Sequence, residues 1–207
     1  MGTPVLYDFA HDARCYAVRL GASLMMREIT ISDVDVMPGK EHLSPEMLAL
    51  NPKGNVPFLV DGEVLLTEPA AILTYLAKGT PWEPQTPEGN DWMIFASEAL
   101  STFNTARHAA LFSQPGTADF DGIAHGTRQA KTKLRQMEDQ LSLGTLRSDT
   151  FLAGGLPGIA DMLAFPVFAQ SRDLRIEPEA YPALRLWARR VRKLPGFIGM
   201  PGVPDYH

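Results

Sequence analysis

Residues 51–76 read NPKGNVPFLVDGEVLLTEPAAILTYL, and this stretch decides the fold. It predicts a proline-fixed bend, two short strands joined at Asp61-Gly62, and a helix that begins around Thr67-Glu68-Pro69. An Asp-Gly dipeptide between two apolar runs is a strong hairpin signal. A proline at the first helical position and a carboxylate beside it both suit a helix N-terminus. A bend, a hairpin and a helix start in so few residues predict a compact site for an extended, anionic small molecule.

This order of elements resembles the end of the thioredoxin-like domain in the glutathione S-transferase family, in a theta- or zeta-like bacterial form. In that family the proline at the position of Pro57 is cis, and the residue at the Val56 position pairs its backbone with the cysteinyl part of glutathione. The residue at the Glu68 position meets the γ-glutamyl end. The resemblance implies the same roles here, with His42 at the glycyl end and Asn55 completing the thiol-ligand site.

Four further segments extend the resemblance over nearly the whole chain. They are Leu6-Tyr7-Asp8 and Arg14 to Leu20 for the first strand and helix, Gly39 to Glu46 for the loop that presents the histidine, and Phe151 to Asp161 for the loop-and-helix signature of the second domain. Several spaced matches are more specific than any single one. The resemblance therefore implies an α/β thioredoxin-like domain followed by an all-α helical bundle domain.

Hydrophobic periodicity supports the same division without the resemblance. Val5–Tyr7 and Glu28–Ile31 are predicted strands around a helix from about Arg14 to Leu24, and a second helix is predicted over Pro45–Leu50. Beyond residue 90 strand signals nearly vanish, and apolar residues recur at helical spacing. Three such groups are Trp92, Phe95, Ala99 and Phe103; Leu134, Met137 and Leu141; and Leu184, Trp187 and Val191.

The stretch over residues 79–89 holds three prolines and two glycines, which is typical of a linker. We therefore predict a thioredoxin-like, thiol-binding domain over residues 1–79 and a linker over 80–90. An all-helical domain, with the electrophile site implied by the resemblance, is predicted over 91–207.

The amino-acid composition and net charge argue against several classes of function. The 207 residues are 45% apolar and 21% charged, as in ordinary folded proteins, and the net charge of -5 gives no electrostatic reason to bind nucleic acid or an anionic membrane. The single cysteine, Cys15, excludes an internal disulfide and suits a reducing compartment. The sequence shows no signal-peptide pattern or membrane-length apolar run, and its five histidines lack metal-ligand spacing. We therefore expect a cytoplasmic protein without a metal.

The hydroxyl that would activate the thiol is missing. In the family a Tyr, Ser or Cys after the first strand stabilises the thiolate, the reactive form. Relatives with a similar helix start often carry Ser-Gly-Asn where this chain has Asp12-Ala13-Arg14. A carboxylate such as Asp12 raises the pKa of a nearby thiol. Arg14 is the candidate replacement, because a guanidinium there would stabilise a thiolate. Simple pairing of Arg14 with Asp12 at the surface is an equally open alternative.

Tyr7 and Cys15 are the other candidates for thiol activation. Tyr7 would donate its phenol as in tyrosine-type members, but its spacing to Cys15 is one residue longer than theirs and favours a place in the strand core. Cys15 lies on the first predicted helix, where a free cysteine mostly behaves as a small buried hydrophobe. The choice among Arg14, Tyr7 and Cys15 stays open at this point.

A second departure is Glu68-Pro69, where the family reads Glu-Ser. That serine gives a hydroxyl and an N–H to the γ-glutamyl carboxylate, and proline supplies neither. Hydrogen bonds to a charged group contribute about 1.5–3 kcal/mol each, so losing two would weaken glutathione binding on the order of a hundredfold or more. Ala70 and Ala71 still offer N–H groups. Either the γ-glutamyl end docks differently, or the natural thiol is not ordinary glutathione.

The second domain supplies weaker signals. Four residues on its first long helix are candidates for binding the electrophile, although aromatic residues at helical spacing are more often core. They are Phe103, Arg107, His108 and Phe112. A third departure is Gly158 at a position where the family usually has a capping Ser or Thr. Asp161 is predicted to hold its own helix N-terminus, a structural role.

The sequence as a whole predicts a glutathione S-transferase-like enzyme that transfers a small thiol to an electrophilic substrate. The expected thiol is glutathione or a cysteine-type or persulfide thiol. Pro69 and Asp12 alone favour a specialised role, for example in a sulfur-incorporating or degradative pathway. The alternative is a non-catalytic ligand- or partner-binding protein on the same fold. The resemblance also implies a homodimer.

Overall fold

The computed structural model describes residues 2–84, 86–113, 119–147 and 149–200. These residues form four strands and seven α-helices. Their order is β1 (Val5–Asp8), α1 (Ala13–Leu24), β2 (Thr30–Asp33), α2 (Pro45–Leu50), β3 (Phe58–Asp61), β4 (Val64–Leu66), α3 (Pro69–Ala77), α4 (Pro87–Phe112), α5 (Phe120–Gly144), α6 (Ile159–Ala169) and α7 (Pro182–Arg192). The predicted linker and second domain include residues 85, 114–118, 148 and 201–207, which lie outside the described residues. No helix in the described part of the chain has both the length and the apolar character needed to span a membrane.

The strands form one mixed sheet in the order β2-β1-β3-β4. β1 is parallel to β2 and antiparallel to β3, and β4 pairs antiparallel with β3. The predicted hairpin is confirmed, with Asp61 opposite Val64 and Gly62 at φ +59°, a left-handed conformation that glycine adopts at little cost. The sheet and the helices around it form the predicted thioredoxin-like domain.

The predicted second strand lies two residues too early. β2 spans Thr30–Asp33 rather than Glu28–Ile31. Its position is set by parallel pairing with β1, because the N–H of Thr30 donates to Pro4 O and the N–H of Val34 donates to Asp8 O, each at 2.8 Å. Pairing with a distant strand decided this boundary, which local patterns do not reveal.

The core lies on both sides of α1. Leu6 and Leu59 of the sheet and most of α1 are buried in one cluster that continues into α4 and α6. The periodic residues Phe103, Leu134, Met137, Leu184 and Trp187 are fully buried, as the helical spacing indicates. Side chains of α1 share buried clusters with Leu6, Phe58 and Leu59 of the sheet, and α1 also contacts α3, α4 and α6. Its N-terminus is therefore fixed where the two parts of the chain meet.

The long helix α4 begins inside the predicted linker. Thr86 is its N-cap, with its hydroxyl accepting from the N–H of Gly89 at 3.0 Å, and Pro87 occupies the first helical position. Proline is favourable there because its missing N–H would have no partner inside the helix. The proline-rich stretch therefore ends in a helix start rather than in extended chain.

Asp161 joins three segments of the helical part of the chain. Its carboxylate accepts from the N–H of Gly158 at 2.8 Å, from the N–H of Leu152 at 3.1 Å and from the Trp187 indole at 2.7 Å. Burial raises the pKa of this carboxyl to about 6, while the hydrogen bonds act in the opposite direction. The predicted structural role is confirmed, because the carboxylate holds the start of α6 together with the preceding loop and α7.

Asp161→Ala should lower the free energy of unfolding by about 3 kcal/mol or more, because it leaves two buried donors and one partly buried donor without an acceptor. The measurement is urea unfolding followed by tryptophan fluorescence. The matched control is Asp139→Ala, which removes an exposed carboxylate paired with Arg135 on α5 and should change stability by less than about 0.5 kcal/mol. Equal effects of the two changes would contradict the assigned role.

Candidate functional site

The bend before β3 leaves backbone groups open. The Val56–Pro57 peptide bond is cis, as the resemblance implies, and both residues are buried. Within the described residues no hydrogen bond engages the Val56 backbone. Asn51 orders the bend, since its amide donates to the carbonyl and side-chain oxygens of Asn55, both at 2.9 Å. Asn51 therefore fixes the bend, while the backbone groups of Val56 remain available to a ligand.

The N-terminus of α3 provides further donors beside this bend. Pro69 is the first helical residue, so the next N–H groups, those of Ala70 and Ala71, have no acceptor within the helix. Glu68 is the N-cap residue, but its side chain does not cap the helix. Its carboxylate instead pairs with Lys53 at 2.9 Å, and both side chains are more than half exposed, so the pair contributes little to stability.

Asp12 caps α1 from a fully buried position. Its Oδ1 accepts from the N–H of Arg14 at 2.8 Å and of Cys15 at 3.1 Å, and its Oδ2 accepts from the Asn104 amide at 2.9 Å. Asn104 also accepts from the N–H of Ala13 at 3.0 Å. Burial alone would raise the pKa of Asp12, but the Arg14 charge and these hydrogen bonds lower it overall. The carboxylate is thus kept ionised and connects α1 to α4.

The guanidinium of Arg14 lies against the same carboxylate. Its Nη2 is 3.2 Å from Oδ2 of Asp12 and its Nε is 3.4 Å from Oδ1. The pairing that the sequence left open is therefore present, although it is built on a buried carboxylate. The charge of Glu68 contributes to raising the pKa of Arg14, which places the guanidinium near the start of α3. Nη1 has no hydrogen-bond partner within the described residues, and 27% of the side chain is exposed.

Cys15 and Tyr7 lie in packed surroundings. Cys15 is fully buried, and its sulfur accepts from the N–H of Phe9 at 3.3 Å. Burial and the charges of Asp12 and Asp8 raise the pKa of this thiol well above its usual value. The ring of Tyr7 stacks on Phe58 with 4.2 Å between centroids. We therefore give neither residue the role of thiol activator.

Two histidines carry buried nitrogens without hydrogen-bond partners in the described part of the chain: Nδ1 of His42 and Nε2 of His108. His42 lies in the short turn Glu41–Leu43, and His108 lies on α4 with Nε2 3.5 Å from Oδ2 of Asp12. Burial lowers the pKa of both imidazoles, so both are mainly neutral near pH 7. Each is suited to accept or donate one proton to a ligand.

Of the four candidates for binding the electrophile, His108 lies beside Asp12, and Phe112 lies beside His108. Phe103 is fully buried in the core. Arg107 is buried and committed, with Nε donating to Asp173 at 2.7 Å and Nη1 donating to the His11 carbonyl at 2.6 Å. We therefore leave Phe103 and Arg107 out of the proposed site.

Phe9 and Phe112 form an aromatic wall beside His108. The ring of Phe9 lies 6.0 Å from that of His108 and 6.1 Å from that of Phe112, and His108 lies 4.9 Å from Phe112. Phe9 and Asn104 are the residues that the sequence analysis missed. The available signal was on α4, where Asn104 and His108 stand one turn apart and thus share a face.

Comparison with known proteins decides the family. The family model for the glutathione S-transferase N-terminal domain matches residues 3–78, and that for the C-terminal domain matches residues 108–195. A Rhizobium meliloti protein named maleylacetoacetate isomerase is 41% identical over 205 residues, covering 93% of each chain. The chain belongs to the glutathione S-transferase family.

Other members of the glutathione S-transferase family agree. Glutathione S-transferase 2 of Anopheles gambiae is 35% identical, covering 87% of this chain and 86% of that protein. Glutathione S-transferase 1 of Dianthus caryophyllus is 37% identical over 40% of this chain, so the match spans only 37% of that relative. The crystal structure of a possible glutathione S-transferase from Rhodopseudomonas palustris superimposes with a TM-score of 0.84 at 29% identity, covering 100% of this chain and 93% of that one. The predicted two-part fold is confirmed.

Cys15 should resist alkylation by iodoacetamide in the folded protein, because its thiol is buried and protonated. The same thiol should react fully in urea, which exposes it. Mass spectrometry of the alkylated protein measures both. Rapid, complete labelling of the folded protein would show that Cys15 is an accessible thiolate, and Cys15 would then again be a candidate for catalysis.

Proposed function

We propose that this protein is a thiol-transferring enzyme of the glutathione S-transferase family in which the Arg14 guanidinium replaces the usual hydroxyl as the group that stabilises the thiolate. One observation carries the proposal: the Arg14 guanidinium is fixed by Asp12 near the starts of α1 and α3, with Nη1 left open. A hydrogen bond from a charged donor is stronger than one from a neutral hydroxyl.

The open polar groups support an extended thiol such as glutathione. In this proposal the Val56 backbone pairs with the cysteinyl part, His42 receives one terminal carboxylate, and the N–H groups of Ala70 and Ala71 receive the other. Helix N-termini and their orphan N–H groups favour negative charge. Glu68 and Asn55 keep the positions at the site that the resemblance implies.

In this proposal the site residues have different roles in activating the thiol. Asp12 neutralises much of the Arg14 charge, so stabilisation of the thiolate comes from a directed Nη1–H bond and from the N-terminal end of α1 rather than from free positive charge. The thiolate attacks the electrophilic carbon beside His108 and the aromatic wall. Displacement of a leaving group yields a thioether.

A second candidate activity is isomerisation of an activated double bond, and the Rhizobium relative named maleylacetoacetate isomerase favours it. A thiolate that adds to such a bond and leaves again permits rotation about it, so the same site serves both reactions. Assay of maleylacetoacetate beside a generic chlorinated electrophile separates the two.

Pro69 and the missing hydroxyl favour a specialised thiol or, as the alternative, a binding protein without catalysis. Calorimetric titration with glutathione, cysteine and cysteine persulfide distinguishes these functions. Preference for a smaller thiol supports a sulfur-incorporating or degradative role. A protein that binds none of them is a binding protein for other ligands or partners. We also propose that the enzyme is a homodimer and is located in the cytoplasm.

Arg14→Ala should raise the pKa of the bound thiol by about one to two units, since it removes a charge-assisted bond of about 1.5–3 kcal/mol. The rate of conjugation near pH 7 should fall about tenfold to a hundredfold. Arg14→Lys should restore part of the rate. The control, Arg185→Ala, removes the same charge from an exposed position on α7 and should leave the rate unchanged. An unaltered rate in Arg14→Ala would contradict the proposal.

Pro69→Ser should tighten glutathione binding by roughly tenfold or more, because it restores a hydroxyl and an N–H at the start of α3. Pro69→Ala restores only the N–H and should give an intermediate dissociation constant. Calorimetry measures both. If neither change alters affinity, the γ-glutamyl end does not dock at the N-terminus of α3.

A further inference from the structure

The Asp12 carboxylate faces a second functional group besides Arg14. Nε2 of His108 is buried and lies 3.5 Å from Oδ2 of Asp12, without a hydrogen-bond partner in the described residues. We propose that His108 is the general base that takes the proton from the thiol, with Asp12 as the positioning residue that orients its imidazole. This inference rests on the thiol-transferring function proposed above.

The two nitrogens of His108 have different surroundings. Nε2 is buried against the carboxylate, whereas Nδ1 is not among the buried unpartnered atoms, and 24% of the side chain is exposed. A neutral imidazole with its proton on Nε2 therefore turns its lone pair at Nδ1 toward the open side. A carboxylate behind a histidine selects this tautomer and stabilises the imidazolium that forms on protonation.

His108 shares its open side with the groups proposed to bind the thiol. Nη2 of Arg14 and Nε2 of His108 lie 3.2 and 3.5 Å from the same oxygen of Asp12, so the guanidinium and the imidazole are neighbours. Phe9 and Phe112 close the other side of the ring at 6.0 and 4.9 Å between centroids. A thiol that accepts a hydrogen bond from Arg14 would therefore lie on the same side of Asp12 as the His108 ring.

The other ionisable groups around this space are poor proton acceptors. Arg14 stays protonated at any accessible pH. Both oxygens of Asp12 accept hydrogen bonds, and its pKa lies below the usual value, so it stays ionised and is a weak base. Cys15 is buried with its proton. His42 has no carboxylate partner among the described residues, so His108 is the imidazole that is both oriented and stabilised as a cation.

The proton transfer balances without any further reactant. The thiol S–H bond breaks, its proton passes to Nδ1 of His108, and the electron pair stays on sulfur beside Nη1 of Arg14. The thiolate then forms a bond to the electrophilic carbon as the bond to the leaving group breaks. The imidazolium gives the proton to a basic leaving group, to water when the leaving group is chloride, or, after addition to a double bond, to the adjacent carbon.

The charges around His108 set the pH range of this step. Burial has the largest effect and lowers the pKa of His108, Asp12 on α1 raises it, and Arg14 on α1, Arg107 on α4 and His42 in the turn before α2 lower it. The pKa therefore lies below the ordinary value for histidine, about 6.5. The base form persists at pH 7, and activity declines as the pH falls through that pKa and the imidazole becomes protonated.

The test uses His108→Gln, whose amide can keep the contact with Asp12 but cannot accept a proton. The measurement is the pH dependence of kcat/KM for glutathione and a chlorinated electrophile, with glutathione affinity measured separately. We expect the variant to bind glutathione as the unaltered protein does, to lose about a hundredfold or more in rate at pH 7, and to recover as rising pH ionises the thiol in solution. His125→Gln, an exposed change on α5, should keep the original profile.

A second variant reports on positioning. Asp12→Asn keeps a capping oxygen but removes the charge that stabilises the imidazolium, so the acidic limb of the profile should move to lower pH in variant protein that remains folded. An unchanged rate and profile in His108→Gln, with Arg14→Ala impaired, overturns the base assignment alone. An unaltered protein that binds no thiol overturns this inference and the proposed function together.

Discussion

A single buried carboxylate, that of Asp12, organises the site. It caps α1, accepts from Asn104 on α4, holds the guanidinium of Arg14 and faces His108. An ionised group with almost no exposure is tolerated only when its oxygens are satisfied, and here backbone and side-chain donors supply what water would. The same bonds fix the angle between the start of α1 and the long helix α4, so one residue sets both the structure and the electrostatics of the site.

In the proposed function, this arrangement compensates for the absence of the usual hydroxyl. A serine at the start of α1 would act on the thiol directly, whereas a buried aspartate acts through the groups that it holds. In the proposed function, Arg14 supplies the hydrogen bond that a hydroxyl would give, and its pairing with Asp12 fixes the position of the guanidinium. The negative charge of Asp12 would by itself raise the pKa of a nearby thiol. This effect is reduced because Arg14 neutralises much of that charge.

The local parts of the fold and site could be predicted, and the parts that depend on distant contacts could not. The hairpin at Asp61-Gly62 and the helix start at Pro69 follow from turn and capping preferences within a few residues. β2 shifted because its register depends on β1. Asp12 looked like the wrong charge because its partners Asn104 and His108 lie on α4, more than ninety residues later in the chain. Phe103 and Arg107 share that helix but face the core and Asp173, which helical periodicity alone does not distinguish from a cleft.

The central claim is that a hydrogen bond from Nη1 of Arg14, together with helix N-termini, keeps a bound thiol ionised at this site. The most direct measurement is the ultraviolet absorbance of the glutathione thiolate in its complex with the unaltered protein, followed as the pH is raised. The account predicts that the thiolate appears well below pH 8.5, about the ordinary pKa of a free thiol. Ionisation of the bound thiol at or above that pH would contradict it.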